Sequence, residues 1–310
     1  MAKKQELGIT SLLESGSVKK GSDPSLHYAR ISFGIPILDK LTGGGVPRKR
    51  MTLLRGMTNT GKSYLASQVV ANAIRAGGKA AWIDTELSWD PDWMEKCGIK
   101  TDNVMVSQPA TGEEAFDIIK VMLSSSVDVV VLDSIAGLVP TQLHEEGFSF
   151  NPMAWQARFV NSSLPRIFPY LKEGSAFIAI NQLRSSIGPS AADNVPGGMA
   201  QSFFAHLTLE TRREGWIEED GKKVGFDMEV RSKKGKVGGE IYQSCVVPFR
   251  LAGGIDEVET FIREAISKDL IHHTRAWYKL TWNEEKVLGM NGLRQYFREH
   301  PEEIERIKNV

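Results

Sequence analysis

The clearest chemistry in the chain lies at Gly56-Met57-Thr58-Asn59-Thr60-Gly61-Lys62-Ser63. Gly56 and Gly61 allow a tight loop whose backbone N–H groups, at Met57, Thr58, Asn59 and Thr60, can turn inward onto phosphate oxygens. A helix starting near Tyr64 would add its positive N-terminal end. Lys62 would reach the β- and γ-phosphates, and the Ser63 hydroxyl would sit on Mg²⁺. The apolar run Met51-Thr52-Leu53-Leu54-Arg55 before the loop reads as a strand. Strand, loop and helix in that order are the setting this motif requires for binding a nucleoside triphosphate.

Three more apolar runs end in polar groups. Val129-Val130-Val131-Leu132-Asp133-Ser134 delivers a carboxylate to a strand end, where such folds hold Mg²⁺, so Asp133 is the metal-side candidate beside Ser63. Ala81-Trp82-Ile83-Asp84-Thr85-Glu86 repeats the pattern. Its spacing leaves Glu86 open between a base for the attacking water and a solvated or capping acid. Phe177-Ile178-Ala179-Ile180-Asn181-Gln182 ends in amides, which spacing alone reads as turn residues.

The elements that position these groups alternate. Strands are expected at Met51–Arg55, Ala80–Asp84, Val104–Gln108, Val127–Asp133, Ala176–Asn181 and Ala205–Glu210. Helices are expected between them at Ser63–Ala76, Pro91–Cys97, Thr111–Ser124 and Met153–Leu171. This is an α/β chain with a mainly parallel sheet covered on both faces, and such sheets bind ligands at their carboxyl ends. Gly225–Ser232 and Glu240–Phe249 read as strands flanking a basic turn, Lys233-Lys234-Gly235-Lys236. Before the core, a short amphipathic helix over Gln5–Glu14 leads into a Gly, Ser and Lys-rich linker. After about Gly254 the composition becomes charged and mostly helical. The domains expected are 1–32 (helix and linker), 33–253 (nucleotide-binding core) and 254–310 (small C-terminal domain).

With 38 basic and 38 acidic side chains in 310 residues, there is no global pull toward a polyanion, and any nucleic-acid site must be a local patch. Cys97 and Cys245 lack metal-ligand spacing and read as small buried hydrophobes of a reducing compartment. No apolar run has the length of a membrane span, and the start has no apolar signal region. A cytoplasmic protein is expected.

Taken together, the motifs resemble the RecA family of recombinases. They are Ile83-Asp84-Thr85-Glu86 through Asp90-Pro91, Ser107-Gln108-Pro109-Ala110-Thr111-Gly112-Glu113, Asp128 to Ser134, Ile180-Asn181-Gln182-Leu183-Arg184 and Pro196-Gly197-Gly198. The similarity runs from about Ile31 to Val310. It includes a stretch from Ala276-Trp277-Tyr278 to Pro301-Glu302 similar to that family's small C-terminal domain, which implies an α+β unit there. The match is closer to the bacterial recombinases than to hexameric helicases of the same fold.

The resemblance implies the following roles. Glu86 falls on the family's catalytic glutamate. Gln182 falls on the glutamine that senses the γ-phosphate and signals to the following DNA loop. Trp93 takes the place of an aromatic that stacks on adenine, with Tyr64 and Asp90 also against the nucleotide. Lys234 and Lys236 match lysines that reach the neighbouring subunit's γ-phosphate, acting like an arginine finger in trans. DNA would be held by two loops, about His144 to Met153 and Ile187 to Gly198. Met153 and Ile187 would wedge between nucleotide triplets, and Arg158 and Arg184 would contact phosphates. Gly197 and Gly198 would allow close backbone approach. Phe148 and Phe150 either stack on bases or anchor the first loop.

Two departures mark a divergent member: a slightly shorter second loop without an aromatic, and no strongly acidic terminal extension, which implies weaker self-inhibition of duplex binding. The implied function is ATP- and Mg²⁺-dependent strand exchange by a helical filament on single-stranded DNA, pairing it with homologous double-stranded DNA. The alternatives are a ring-forming helicase or translocase, a non-hydrolysing DNA-binding mediator, and an ATPase acting on protein partners.

Overall fold

The computed structural model describes residues 9–142, 152–183, 196–198, 200–219 and 221–308, apart from the side chains of residues 152–154, 172, 173 and 305–308. The strands in chain order are β1 (Arg30–Ile31), β2 (Val46–Pro47), β3 (Met51–Gly56), β4 (Ala80–Asp84), β5 (Val104–Ser107), β6 (Val129–Asp133), β7 (Ala176–Gln182), β8 (Leu207–Glu219), β9 (Lys222–Gly235), β10 (Ser244–Arg250), β11 (Gly254–Ile255), β12 (Ile271–Thr274), β13 (Trp277–Leu280) and β14 (Lys286–Leu288).

Nine of them form one sheet in the order β11-β10-β9-β8-β3-β7-β6-β4-β5. From β8 to β5 the neighbours are parallel, while β8, β9, β10 and β11 pair antiparallel. The inner parallel strands β3, β4, β6 and β7 are largely apolar and buried because both faces are covered, and period 2 sends alternate residues to opposite layers. Leu54, Trp82, Val131 and Ile180 pack with Leu65, Val69 and Val70 of the helix Lys62–Arg75. Leu53, Ile83, Leu132 and Ala179 pack with Phe116 and Ile119 of Gly112–Ser124 and with Val160 and Leu164 of Pro152–Ile167.

The order places β3 at the centre and the carboxyl ends of β3, β4, β6 and β7 along one edge. Those ends carry Gly56, Asp84, Asp133 and Gln182. A third core, built on Phe261, Ile262, Leu280, Leu293 and Phe297, belongs to the smaller C-terminal unit.

Two expectations need correction and a third needs an addition. Lys233-Lys234-Gly235 is not a turn: β9 runs through it, pairing Lys234 with Thr208 and Gly235 with Leu207. Ladder bonds to β8 hold this stretch extended, and the Lys234 head projects from the strand onto backbone carbonyls. The hairpin of β8 and β9 is longer than the expected Ala205–Glu210 and Gly225–Ser232 segments, extending to Glu219 and back from Lys222. The C-terminal unit is mostly helical as expected, but β12, β13 and β14 add a three-stranded antiparallel sheet that its composition did not signal. No helix among the described residues is long and apolar enough to cross a membrane.

Candidate functional site

The loop after β3 is held in shape before any ligand is considered. A Cβ on Gly56 would lie 2.4 Å from the Thr211 carbonyl and hydroxyl oxygens, so β8 forms the floor of the loop. Gly61 has φ +87 and begins the helix Lys62–Arg75. Thr60 Oγ1 donates to the Met57 carbonyl at 2.8 Å and lies 2.6 Å from Thr211 Oγ1. Lys62 Nζ donates to the same carbonyl at 2.7 Å. Met57, Thr58 and Asn59 are exposed on the outer rim.

Beside the loop, Ser63 Oγ donates to Asp133 Oδ2 at 2.8 Å. Burial pushes the Asp133 carboxyl up to about 6, with Glu86 and Asp84 adding to the rise and the Ser63 hydroxyl opposing it. Burial also holds Lys62 below the usual lysine value, against the pull of Asp133 and Glu86. A buried carboxylate with raised proton affinity, bonded to a hydroxyl, is a pair of hard oxygen donors suited to a cation. Ser63 and Asp133 therefore fit Mg²⁺. Among the described residues no group of three or more His, Cys, Asp or Glu could hold a metal. A metal here would take its other ligands from phosphate and water.

Glu86 sits where β4 leaves the sheet. Gln182 Nε2 donates to Glu86 Oε1 at 2.7 Å, and the Ser134 hydroxyl donates to the same oxygen. β6 braces this arrangement: Thr85 Oγ1 donates to the Ser134 carbonyl at 2.7 Å and accepts from Ser134 N–H at 2.9 Å. Asp84 ties down the following turn, accepting from the N–H groups of Glu86, Ser88 and Trp89 and from Gln108 Nε2. Burial would raise the Asp84 pKa, yet these hydrogen bonds hold it below the usual carboxylate value. The adjacent amide Asn181 donates to the Pro196 carbonyl and to Gln201 Oε1, both at 2.8 Å. The end of β7 thus joins the glutamate on one side and the Pro196-Gly197-Gly198 turn on the other.

One cavity of about 520 Å³ is lined by Thr58 to Tyr64, Glu86, Trp93, Asp133 and Gln182. Asp90 caps the helix Pro91–Lys96, accepting from the N–H groups of Asp92 and Trp93. Residues not singled out from the sequence complete the lining, among them Arg213, Trp216, Phe226 and Phe249. They come from the antiparallel flank, and the Asp220-Gly221 pair that signals its hairpin was the available clue.

The two lysines lie elsewhere. In the β3–β8 pairing Gly56 opposes Thr211, whereas Lys234 opposes Thr208 and Gly235 opposes Leu207. Lys234 and Lys236 are therefore at the opposite end of the sheet from the phosphate loop. Lys234 Nζ donates to the carbonyls of Ser202 and Phe203. Lys236 lines a cavity with Lys19, Lys49, Arg50 and His206.

Of the expected DNA-facing residues, Arg158 is exposed on the helix Pro152–Ile167 and shares a groove with Gly197, Gly198 and Phe203. Gly197 and Gly198 have φ +76 and +71. A Cβ on Gly198 would meet the Ala157 side chain at 3.2 Å, so close helix packing also favours glycine there. Met153 begins the same helix, but its side chain lies outside the described residues, as do Arg184, Ile187, Phe148 and Phe150.

Comparison with known proteins agrees with this arrangement. The RecA N-terminal domain matches residues 5–255. Protein RecA of Aquifex pyrophilus is 35% identical over 290 residues, covering 92% of this chain and 82% of the relative. Protein RecA of Acidothermus cellulolyticus is 35% identical over 291 residues, covering 90% and 81%. Protein RecA of Thermus aquaticus is 32% identical over 298 residues, covering 94% and 87%. The chain belongs to the RecA family of recombinases.

Proposed function

We propose that this recombination and repair protein binds ATP between adjacent copies of itself and couples that binding to a filament on single-stranded DNA. The observation that carries the reading is the pair of braced contacts at one edge of the sheet, each spanning an intervening strand: Ser63 with Asp133 and Gln182 with Glu86.

The residues perform separable tasks. Lys62, now on the Met57 carbonyl, exchanges that bond for phosphate oxygens, a charge-assisted contact of higher strength. Mg²⁺ held at Ser63 and Asp133 would neutralise phosphate charge as it develops. A γ-phosphate would recruit the Gln182 amide, leaving Glu86 Oε1 with the Ser134 hydroxyl and open to orient and deprotonate water. Asn181, next in the chain, holds the Pro196 carbonyl, so movement of Gln182 is felt at the second DNA loop. We assign Arg158, Arg184, Met153, Ile187, Gly197 and Gly198 to the DNA-facing surface, and Trp93, Tyr64 and Asp90 to the nucleoside side.

Lys234 and Lys236 cannot serve the loop of their own chain. β8 runs four residues from Thr211 back to Leu207, about 13 Å at the usual strand rise. A second copy must bring its lysines to the site, so hydrolysis depends on assembly. Residues 1–32 supply the docking helix and linker, 33–253 the ATPase core and 254–310 a small accessory domain. Watson–Crick pairing between strands carries sequence recognition, with the protein holding backbones.

The test is ATP hydrolysis with and without single-stranded DNA, with Glu86→Gln as control. DNA stimulation that the variant loses supports the reading. Hydrolysis indifferent to DNA, or closed rings rather than DNA-length filaments by electron microscopy, would overturn it. Deleting residues 1–30 is expected to reduce oligomerisation, and unaltered long filaments would count against the docking role.

A further inference from the structure

The cavity has two chemically distinct ends. Toward β4, β6 and β7 it is lined by Glu86, Asp133 and Gln182, the phosphoryl end. Toward β8, β9 and β10, on the opposite side of β3, it is lined by rings. Tyr64 meets Phe249 edge-on at 5.0 Å, Phe249 meets Phe226 at 5.0 Å, and Phe226 meets Trp216 edge-on at 6.3 Å. The row begins on the helix that the phosphate loop caps and ends on the long hairpin.

Trp216 is unusual within that row. Its neighbours in the row are half-buried or buried, whereas Trp216 is 42% exposed. A register shift between Arg213 and Gly215 interrupts the β8–β9 pairing just before it. Such a bulge re-aims side chains and adds twist. It brings Trp216, three positions after Arg213, to the cavity that Arg213 also lines. The indole is then held in place by cations, Arg213 at 4.4 Å and Lys223 at 4.6 Å from the ring centroid. Among the described residues no ion pair joins Arg213 or Lys223 to a carboxylate. Ordering an exposed tryptophan with two cations costs entropy with no core burial in return, which suits a surface prepared for a flat, electron-poor ligand.

We propose that Trp216 is a base-contacting residue, closing the nucleoside end of the ATP site from the hairpin side. A purine would stack on the indole, and Lys223, on its flexible four-carbon stem, would be the cation that yields its place. Stacking is tolerant of base identity because every base has a π-face. The hairpin wall therefore strengthens nucleotide binding without by itself selecting adenine. This assignment rests on the nucleotide-site reading above and adds a contact to it.

The experiment compares two ligands by calorimetry, ADP and inorganic tripolyphosphate, which carries phosphate but no base. Trp216→Ala is expected to weaken ADP binding roughly tenfold, within the range for loss of one aromatic stack, and to leave tripolyphosphate unchanged. Trp216→Phe should recover most of the ADP affinity. Since the side chain is well exposed, neither change opens the core, and an unaltered melting temperature verifies this. Equal ADP affinity in wild type and Trp216→Ala overturns the proposal, as does an equal loss for both ligands. Lys62→Ala separates the two readings: it should weaken both ligands. If Lys62→Ala leaves both untouched, the nucleotide-site reading itself fails, whatever Trp216 does.

Discussion

Strand β3 has a different kind of wall on each side. Toward β7 and β6 the contacts are short polar bonds among groups gathered at the strand ends, with Glu86, Ser134, Gln182, Ser63 and Asp133 held by one another. Toward β8 and β10 they are ring edges and cations over rings. Directional bonds fix oxygen and nitrogen positions to fractions of an ångström, which phosphoryl chemistry requires. Ring contacts are broad in angle and tolerate substitution of what lies against them. Parallel strands make the first wall possible, because they bring several carboxyl ends to one edge. The antiparallel hairpin makes the second, because it projects beyond that edge.

The contrast can be broken most decisively at Glu86. Glu86→Gln is expected to lower DNA-stimulated hydrolysis by about 10²–10⁴-fold while leaving ADP affinity near wild type. A loss of tenfold or less in a steady-state assay would remove Glu86 from the chemistry. The two walls meet at Gly56, and Gly56→Ala forces a Cβ against Thr211. We expect a cost of about 1–3 kcal/mol in urea unfolding, together with weakened nucleotide binding. Unchanged stability would show that β8 can move away from the loop.

Ser134→Ala removes one donor from Glu86 and should lower hydrolysis about fivefold, equivalent to about 1 kcal/mol, with ADP affinity constant. A change in ADP affinity instead would show that the walls are not separable.

The smallest effect concerns the far end of the sheet. Burial, then Arg50, Lys236 and Lys234, hold His206 down to about 4. Its Nδ1 accepts from Met51 N–H at 3.3 Å, which requires that nitrogen unprotonated, and Phe168 packs edge-on against the ring. Below the ordinary histidine value of about 6.5 the unfolded chain takes up a proton that the folded chain refuses. Stability from this group is therefore complete above about pH 6.5 and is lost as the pH falls toward 4. His206→Asn should flatten that part of the curve of melting temperature against pH, and an unchanged curve would assign the acid sensitivity elsewhere.

Legibility in the sequence follows the same division. Gly56 to Ser63 and Asp133 stood out because each sits at the end of a local apolar run, and strand ends in a parallel sheet converge; spacing left Glu86 open, and its role came from the family resemblance. Gln182 was ambiguous by spacing, since nothing local says that its amide meets Glu86 across two strands. Lys233 to Gly235 read as a turn because pairing with β8, not local propensity, makes them strand. Trp216 could not be placed because its direction depends on a bulge, a property of the register between two strands. The short strands β12, β13 and β14 were hidden by charged composition.

The central position of β3 also bears on how the protein is made. Both hydrogen-bonding partners of this strand come late: β7 begins at Ala176 and β8 at Leu207, whereas β3 ends at Gly56. During synthesis Met51, Leu53 and Leu54 must wait for roughly 120 further residues, on the order of 6–24 s at typical elongation rates, before their strand finds a neighbour. The segment that later cradles phosphate therefore emerges as an unpaired apolar strand. During that interval its exposed apolar groups and unpaired edge are open to a chaperone.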